Sequence, residues 1–490
     1  MKNIFRSLFR LGKPAVKRTK GRDESSPLLH LSSHPEDAWT IKDSFSGCLI
    51  TGETGSGKTT GSGAALARAF LNRKYGGLIL TCKSDEAATW KQYCAETGRQ
   101  DSLILFGPEE PWRFNFLNYE LTRPGRGSGQ TENIVMLFSD IIETLERREG
   151  GSRSDPYWDR AMKQTLRNAV DLLAIGRNQL RMVELYELIV SAPQNAEQLR
   201  SETWQKNSFC MRCIREAETR EKSERQRHDF AISARYWLSE FATLSDRTRS
   251  IVVSCFTSLA DVLLRGLAHE LLCTKTTIVP ELCSEGAVVV LDVPIKQFDA
   301  VGLTIQTVFK LLYQRSLERR DLAKHPRPCF LWIDEAQWFL CRSDPLFQTT
   351  ARSARCASVL LTQNIGNLHA ALGKAATDTL VGNLSTKFIH CNTDAGTNEW
   401  TSNLFAKTYQ YRTSSGTSMR ETDFGRSATS LNTGGHEALE HQVLPVEFSA
   451  LRKGGPENDC SVDAFVFQGG RRFRASGKNH LRVTFKQRGR

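Results

Sequence analysis

Short apolar runs closed by polar or turn residues punctuate this chain at 49–51, 77–82, 102–106, 287–292, 329–333 and 358–362. They carry no polar alternation, as expected of strands buried on both faces, so the pattern predicts a largely parallel sheet. Helical periodicity over 61–73 and 299–318 lies between such runs. Strands alternating with helices predict a doubly wound α/β core of the RecA-like kind, which takes ligands at the carboxyl ends of its strands. The alternation breaks from 131 to 274, where nearly every window reads as helix, including 157–176, 182–191 and 218–244. The chain therefore divides into an N-terminal arm (1–40), a first part of the core (41–130), an all-α insertion (131–274) and a second part of the core (275–490). Within that last part, 395–435 is rich in Ser, Thr, Gly and Asn and reads as a long loop or lid, while 464–470 and 481–485 read as edge strands.

The chemistry gathers where two of those runs end. After 49–51 comes Gly52-Glu53-Thr54-Gly55-Ser56-Gly57-Lys58-Thr59-Thr60, the Walker A form G-x-x-x-x-G-K-T between a strand and a helix. Its glycines let backbone N–H groups wrap a polyphosphate, Lys58 reaches the β- and γ-phosphates, and Thr59 holds Mg²⁺. The run 329–333 ends in Asp334-Glu335, the Walker B form, with Asp334 on the metal and Glu335 polarising the attacking water. ATP and Mg²⁺ are thus the expected cofactors. Gln363, after the next strand, is placed either to sense the γ-phosphate or simply to end a strand. Arg352 and Arg355 precede that strand, and each suits a finger inserted into a neighbouring subunit's site or a plain helix C-terminal cap.

Composition adds a partner. A chain of 490 residues exceeds the size at which one core stops growing, roughly 250–300 residues. The net charge of +12 is concentrated at the ends, with eight Lys/Arg and no acid in 1–22 and the same in 471–490. Basic ends suit a polyanion such as DNA or an anionic lipid surface. On a helical wheel Lys2, Arg6, Arg10 and Lys13 face one way and Ile4, Phe5, Leu8 and Leu11 the other, the layout of an interfacial helix over 1–13. No stretch reaches the roughly 18 uncharged apolar residues that a spanning helix needs. Thirteen cysteines without a paired framework read as reduced thiols, and Cys210 and Cys213 lack a second pair at zinc spacing.

The order of motifs resembles the type IV coupling proteins of bacterial conjugation, the TraG/TraD kind, within the HerA–FtsK superfamily. The resemblance rests on 51–60, Lys83-Ser84-Asp85-Glu86 after the second strand, Arg113-Phe114-Asn115-Phe116-Leu117, the helical insertion, Asp334-Glu335 and Gln363, and spans about 40–470. It implies a homo-oligomeric, expectedly hexameric, ATPase that drives DNA through a channel, with relaxase or secretion-system proteins as partners. It also implies that Arg352, with Arg355 second, is the trans finger. Family members usually begin with two membrane-spanning helices and carry Asp-Pro-Lys-Gly where this chain has Thr81-Cys82-Lys83-Ser84. The expected location is the cytoplasm, with peripheral contact at the inner face of the membrane. Two alternatives stand beside this reading: a motor acting on polypeptide, and a nucleotide-switched docking module without translocation.

Overall fold

The computed structural model of the chain describes residues 23–148, 156–421 and 427–487. The basic segment 1–22, with the amphipathic stretch 1–13, lies outside them.

A nine-stranded sheet organises the molecule. Its strands are β3 (Cys48–Thr51), β4 (Gly76–Leu80), β5 (Leu103–Phe106), β6 (Val288–Leu291), β7 (Cys329–Ile333), β8 (Cys356–Thr362), β9 (Thr386–Ile389), β12 (Ser461–Gln468) and β13 (His480–Lys486), in the order β13-β12-β9-β3-β8-β7-β4-β6-β5. From β9 to β5 all neighbours are parallel, whereas β12 runs antiparallel to both β9 and β13. The central strands β3, β7 and β8 are buried along their whole length, which is why their sequences show apolar runs instead of alternation. The order places β3 beside β8 and β8 beside β7, so the ends of the two motif-bearing strands are separated by one strand.

Each sheet face has its own core. On one side Phe70, Trp90, Phe330 and Trp332 pack with the helices Ala64–Asn72 and Glu86–Glu96. On the other, Leu78, Leu291 and Leu331 join Phe309 and Leu312 of the helix Ile295–Arg319, and that core runs without a break into the helices that follow β5. Between β5 and β6 the described elements are helices, from Phe116–Thr122 to Leu282–Glu285.

Three sequence expectations are corrected. Residues 27–40, expected in the arm, form a hairpin of β1 (Pro27–His30) and β2 (Ala38–Thr40). Trp39 is fully buried there and its indole N–H donates to Thr386 Oγ1 at 3.0 Å, so this segment is held by the sheet rather than free. The described residues of the stretch 395–435 are not a loop: the helix Ala395–Phe405 leads into a long ribbon of β10 (Lys407–Glu421) and β11 (Ser427–His441). Ser, Thr and Gly are loop-formers only when nothing pairs with them, and here an unbroken register supplies the pairing from Lys407↔His441 to Glu421↔Ser427. Finally, β13 is an edge strand but β12 is not, because β9 pairs with its other side.

Candidate functional site

The loop after β3 leaves the sheet and enters a π turn, Thr59–Gly63, that continues as the helix Ala64–Asn72. Gly55 and Gly57 hold φ of 78° and 80°, a left-handed conformation that side chains resist. At Gly57 a Cβ would also come within 2.6 Å of Val462 on β12, so glycine is required twice over. Lys58 is only 7% exposed, and the Ser56 hydroxyl is buried without a protein partner. A buried orphan hydroxyl beside inward-turned backbone is what a phosphate-binding loop leaves open for its ligand, so the residues present fit a nucleotide.

Across β8, the carboxylates of β7 close the site. Thr59 Oγ1 donates to Asp334 Oδ2 at 3.2 Å, the pair expected to share a divalent cation. Burial raises the pKa of Asp334, and Lys58 opposes that shift. Glu335 takes the left-handed conformation, φ 50° and ψ 54°, and its own N–H donates to Asp334 Oδ1 at 2.9 Å. Its carboxylate accepts from Gln337 Nε2 at 2.9 Å and from Gln363 Nε2 at 3.4 Å, and Lys83 lies 3.6 Å away. Burial alone would push Glu335 up, yet Gln337, Lys58 and Lys83 together hold its pKa below the ordinary value. Gln363 is fixed in turn, its carbonyl accepting from Asn392 Nδ2 at 2.8 Å.

Lys58, Thr59, Asp334, Glu335 and Gln363 therefore converge at the carboxyl ends of β3, β7 and β8 around a cleft of about 300 Å³ or beside it. Arg352 does not join them. It is exposed at the end of the helix Ser343–Ala351, before β8 begins, so it stands at the amino-terminal ends of the strands, away from the cleft at their carboxyl ends. Arg355 is occupied, pairing with Glu24 at 2.6 Å and donating to the Pro326 carbonyl at 3.2 Å.

Several contacts at the site involve residues to which the sequence assigned no separate role, or partners it did not name. Lys83 and Glu86, just past β4, enter the cleft beside the Walker B pair. Burial, with the Asp334 charge behind it, pushes Glu86 up to about 8, although the N–H groups of Cys82 and Lys83 donate to it at 3.0 and 3.2 Å. The motif Lys83-Ser84-Asp85-Glu86 entered the family resemblance, and its position at the carboxyl end of a strand was the signal for a role at the site. On the other flank Glu53 accepts from Thr393 Oγ1 at 2.6 Å and is ion-paired with Lys453, which together depress its pKa. Gln487 Nε2 donates to Thr60 Oγ1 at 2.6 Å. Buried His390 sits 2.7 Å from Ser62 Oγ and 3.0 Å from the Asp463 carbonyl, joining the nucleotide-loop helix to β12.

A parallel sheet with this loop and this acidic pair defines a RecA-like P-loop nucleotide-binding fold carrying a helical insertion. Within that class, residues 328–446 match the family model described as the TraM recognition site of TraD and TraG. The bacterial conjugative coupling protein TrwBdeltaN70, in its unbound form, matches with a TM-score of 0.60 at 16% identity over 95% of this chain and 92% of its own. Two further structures of the plasmid coupling protein TrwB each match with a TM-score of 0.56 at 16% identity. One is in complex with a non-hydrolysable ATP analogue (96% of this chain, 91% of that one) and one with ADP and Mg²⁺ (95% and 91%). The likeness to coupling proteins inferred from the motifs thus holds for the fold over nearly the whole chain. The sequence has no match among curated proteins. No helix of the described residues is long and apolar enough to cross a membrane.

Proposed function

We propose that this chain is a Mg²⁺-dependent ATPase that moves DNA as a coupling protein of conjugative transfer or a related secretion system, working as a ring of identical copies. The observation that carries this reading is the convergence of Thr59, Asp334, Glu335 and Gln363 on one cleft in a coupling-protein fold. Bound ATP supplies the anhydride to be cleaved and Mg²⁺ the charge that screens it. Lys58 and the backbone N–H groups of 52–60 hold the phosphates, Thr59 and Asp334 hold the cation, and Glu335 accepts the proton of the attacking water. Gln363, hydrogen-bonded to Glu335, reports occupancy of the site to the segment 392–398 through Asn392. The family model matched by 328–446 is named for recognition of TraM, which favours a relaxosome protein as a further partner.

The test is ATP turnover with and without DNA across a salt series. A DNA translocase is expected to be stimulated, with stimulation falling steeply as salt rises because phosphate contacts release counterions. Unstimulated turnover would favour a polypeptide motor, and turnover too slow to drive movement would favour a nucleotide-switched docking module.

A further inference from the structure

Apart from its root beside the helix Ala395–Phe405, the ribbon β10–β11 is not covered by the described residues. It is a two-stranded sheet of its own, and among the described residues no strand pairs with either outer edge. Two-stranded ribbons are marginal in water unless something packs on them. This one holds fifteen pairs in unbroken register, about 50 Å at the usual rise per residue. It contains neither proline nor bulge, the devices that ordinarily stop further strands from adding to an edge.

Its two faces differ. Residues directly opposite each other share a face, so Tyr409 with Leu439, Tyr411 with Glu437, and Thr417 with Leu431 all fall on one side. Tyr409, Tyr411, Leu431 and Leu439 are 69%, 70%, 71% and 54% exposed. The opposite face carries Thr408, Gln410, Ser414, Ser418, Asn432 and similar small polar groups. One side therefore presents Tyr409, Tyr411 and Leu439 together near the root and Leu431 farther out, beyond Thr413, Ser415 and Thr433, while the other carries no large apolar side chain among these residues.

Charge argues against a polyanion as occupant: residues 407–441 hold four Lys/Arg and four Asp/Glu side chains, whereas nucleic-acid surfaces carry a clear excess of cations. The roots of the ribbon pack on the sheet and lead to the nucleotide loop. Phe405, Val443 and Phe448 form a small core there with Phe465 and Phe467. Fourteen residues before β10 begins on one side, and just beyond the helix Pro445–Ser449 on the other, Thr393 and Lys453 both hold Glu53. An arm fastened at both roots to the ATP site is placed to link sites on different molecules.

We infer that the ribbon is an assembly arm whose partner is a second copy of this chain, with the free edge of one ribbon adding to the ribbon of its neighbour and the Tyr409–Leu439 strip buried between them. One face of about 500 Å² plus an edge approaches the roughly 800 Å² per partner of a stable interface. The inference rests on the ring reading above for the identity of the partner but not on DNA as the cargo.

The test replaces 412–436 by Asn-Gly, which joins the paired residues Tyr411 and Glu437 by a two-residue hairpin turn. Assembly of the full chain is followed by mass photometry with Mg²⁺ and ATP. The shortened chain is expected to melt at the same temperature as the parent but to need at least about tenfold more protein to assemble, and Tyr409→Ser with Leu439→Ser to act in the same direction. In a mixture of Ser415→Cys and Thr433→Cys chains, a short bismaleimide is expected to link two copies, and the parent chain is expected to give no such product. Unchanged assembly of the shortened chain would overturn the arm and leave the ring reading standing. A parent chain that stays monomeric with nucleotide and DNA would overturn both, leaving hydrolysis to be judged by the salt series.

Discussion

Glu335 sits in left-handed backbone at φ 50°, a conformation that costs a non-glycine residue about 1–3 kcal/mol and persists only where surrounding contacts enforce it. Here the enforcing contacts are its own N–H bound to Asp334 and its carboxylate held by Gln337 and Gln363, which aim it into the cleft. Glu335→Gln keeps that shape and loses the base. It is expected to bind ATP normally and hydrolyse it at least about a hundredfold more slowly, whereas Lys58→Ala should weaken binding itself; nucleotide-binding and single-turnover assays separate the two. Lys83 supplies a second prediction. Its cation helps to hold Glu335 below the ordinary carboxylate pKa, so Lys83→Ala should raise that pKa and move the acidic limb of the pH–rate profile upward. An unmoved limb would mean that Gln337 and Lys58 suffice.

Between elements, buried polar links decide where the motif-bearing strands sit. Lys310 on the 295–319 helix is wholly buried and donates to Asp344 Oδ2 at 2.6 Å and to the Phe339 carbonyl at 2.7 Å, while Gln314 and the Cys341 N–H also bind Asp344. Burial works against the Lys310 charge, but the Asp344 carboxylate outweighs it and raises the pKa. This knot anchors the segment that follows Glu335. Lys310→Met strands Asp344 and should cost about 3–5 kcal/mol in urea unfolding, with Lys310→Met/Asp344→Leu recovering much of the loss. His390 and His480 are both buried neutral, and desolvation lowers each to about 4 from 6.5. The unfolded chain then binds more protons than the native one between those values. Stability is therefore complete above about 6.5 and drains away as pH falls toward 4, and His390→Gln should flatten that slope in melts taken between pH 7.5 and 4.5.

At the scale of the whole molecule, the open question is what completes the site. Arg352 lies exposed at the amino-terminal ends of the strands, opposite the chain's own cleft, and Arg355 is committed to Glu24 and Pro326. Any arginine finger from this region must reach a different copy, and Arg352 is the freer of the two to do so. Arg352→Ala is expected to bind ATP without hydrolysing it, and mixing it with Glu335→Gln should restore part of the activity, because some interfaces then join an intact finger to an intact site. Failure of rescue in confirmed mixed assemblies would make Arg352 a surface residue only.

The nucleotide loop and the Asp334-Glu335 pair were legible because everything they need is local: a strand, a turn whose glycines accept positive φ, and acids at a strand end. The same locality made the parallel sheet and the helical stretch after β5 readable from periodicity. What surrounds the loop was not legible. Lys453 meets Glu53, His390 meets Ser62 and Gln487 meets Thr60 across more than three hundred residues of chain, contacts that depend on β9 pairing with β3 and β12 with β9. The ribbon was hidden for a related reason. Its Ser, Thr and Gly composition is equally that of a loop, and the difference lies in cross-strand pairing, which no single residue carries. Trp39 makes the same point at the other end, since its segment joins the core through Phe70, Phe388 and Thr386, all distant in the chain. Local chemistry was written in the sequence, while the placement of distant partners around it was decided by the order in which the strands pack.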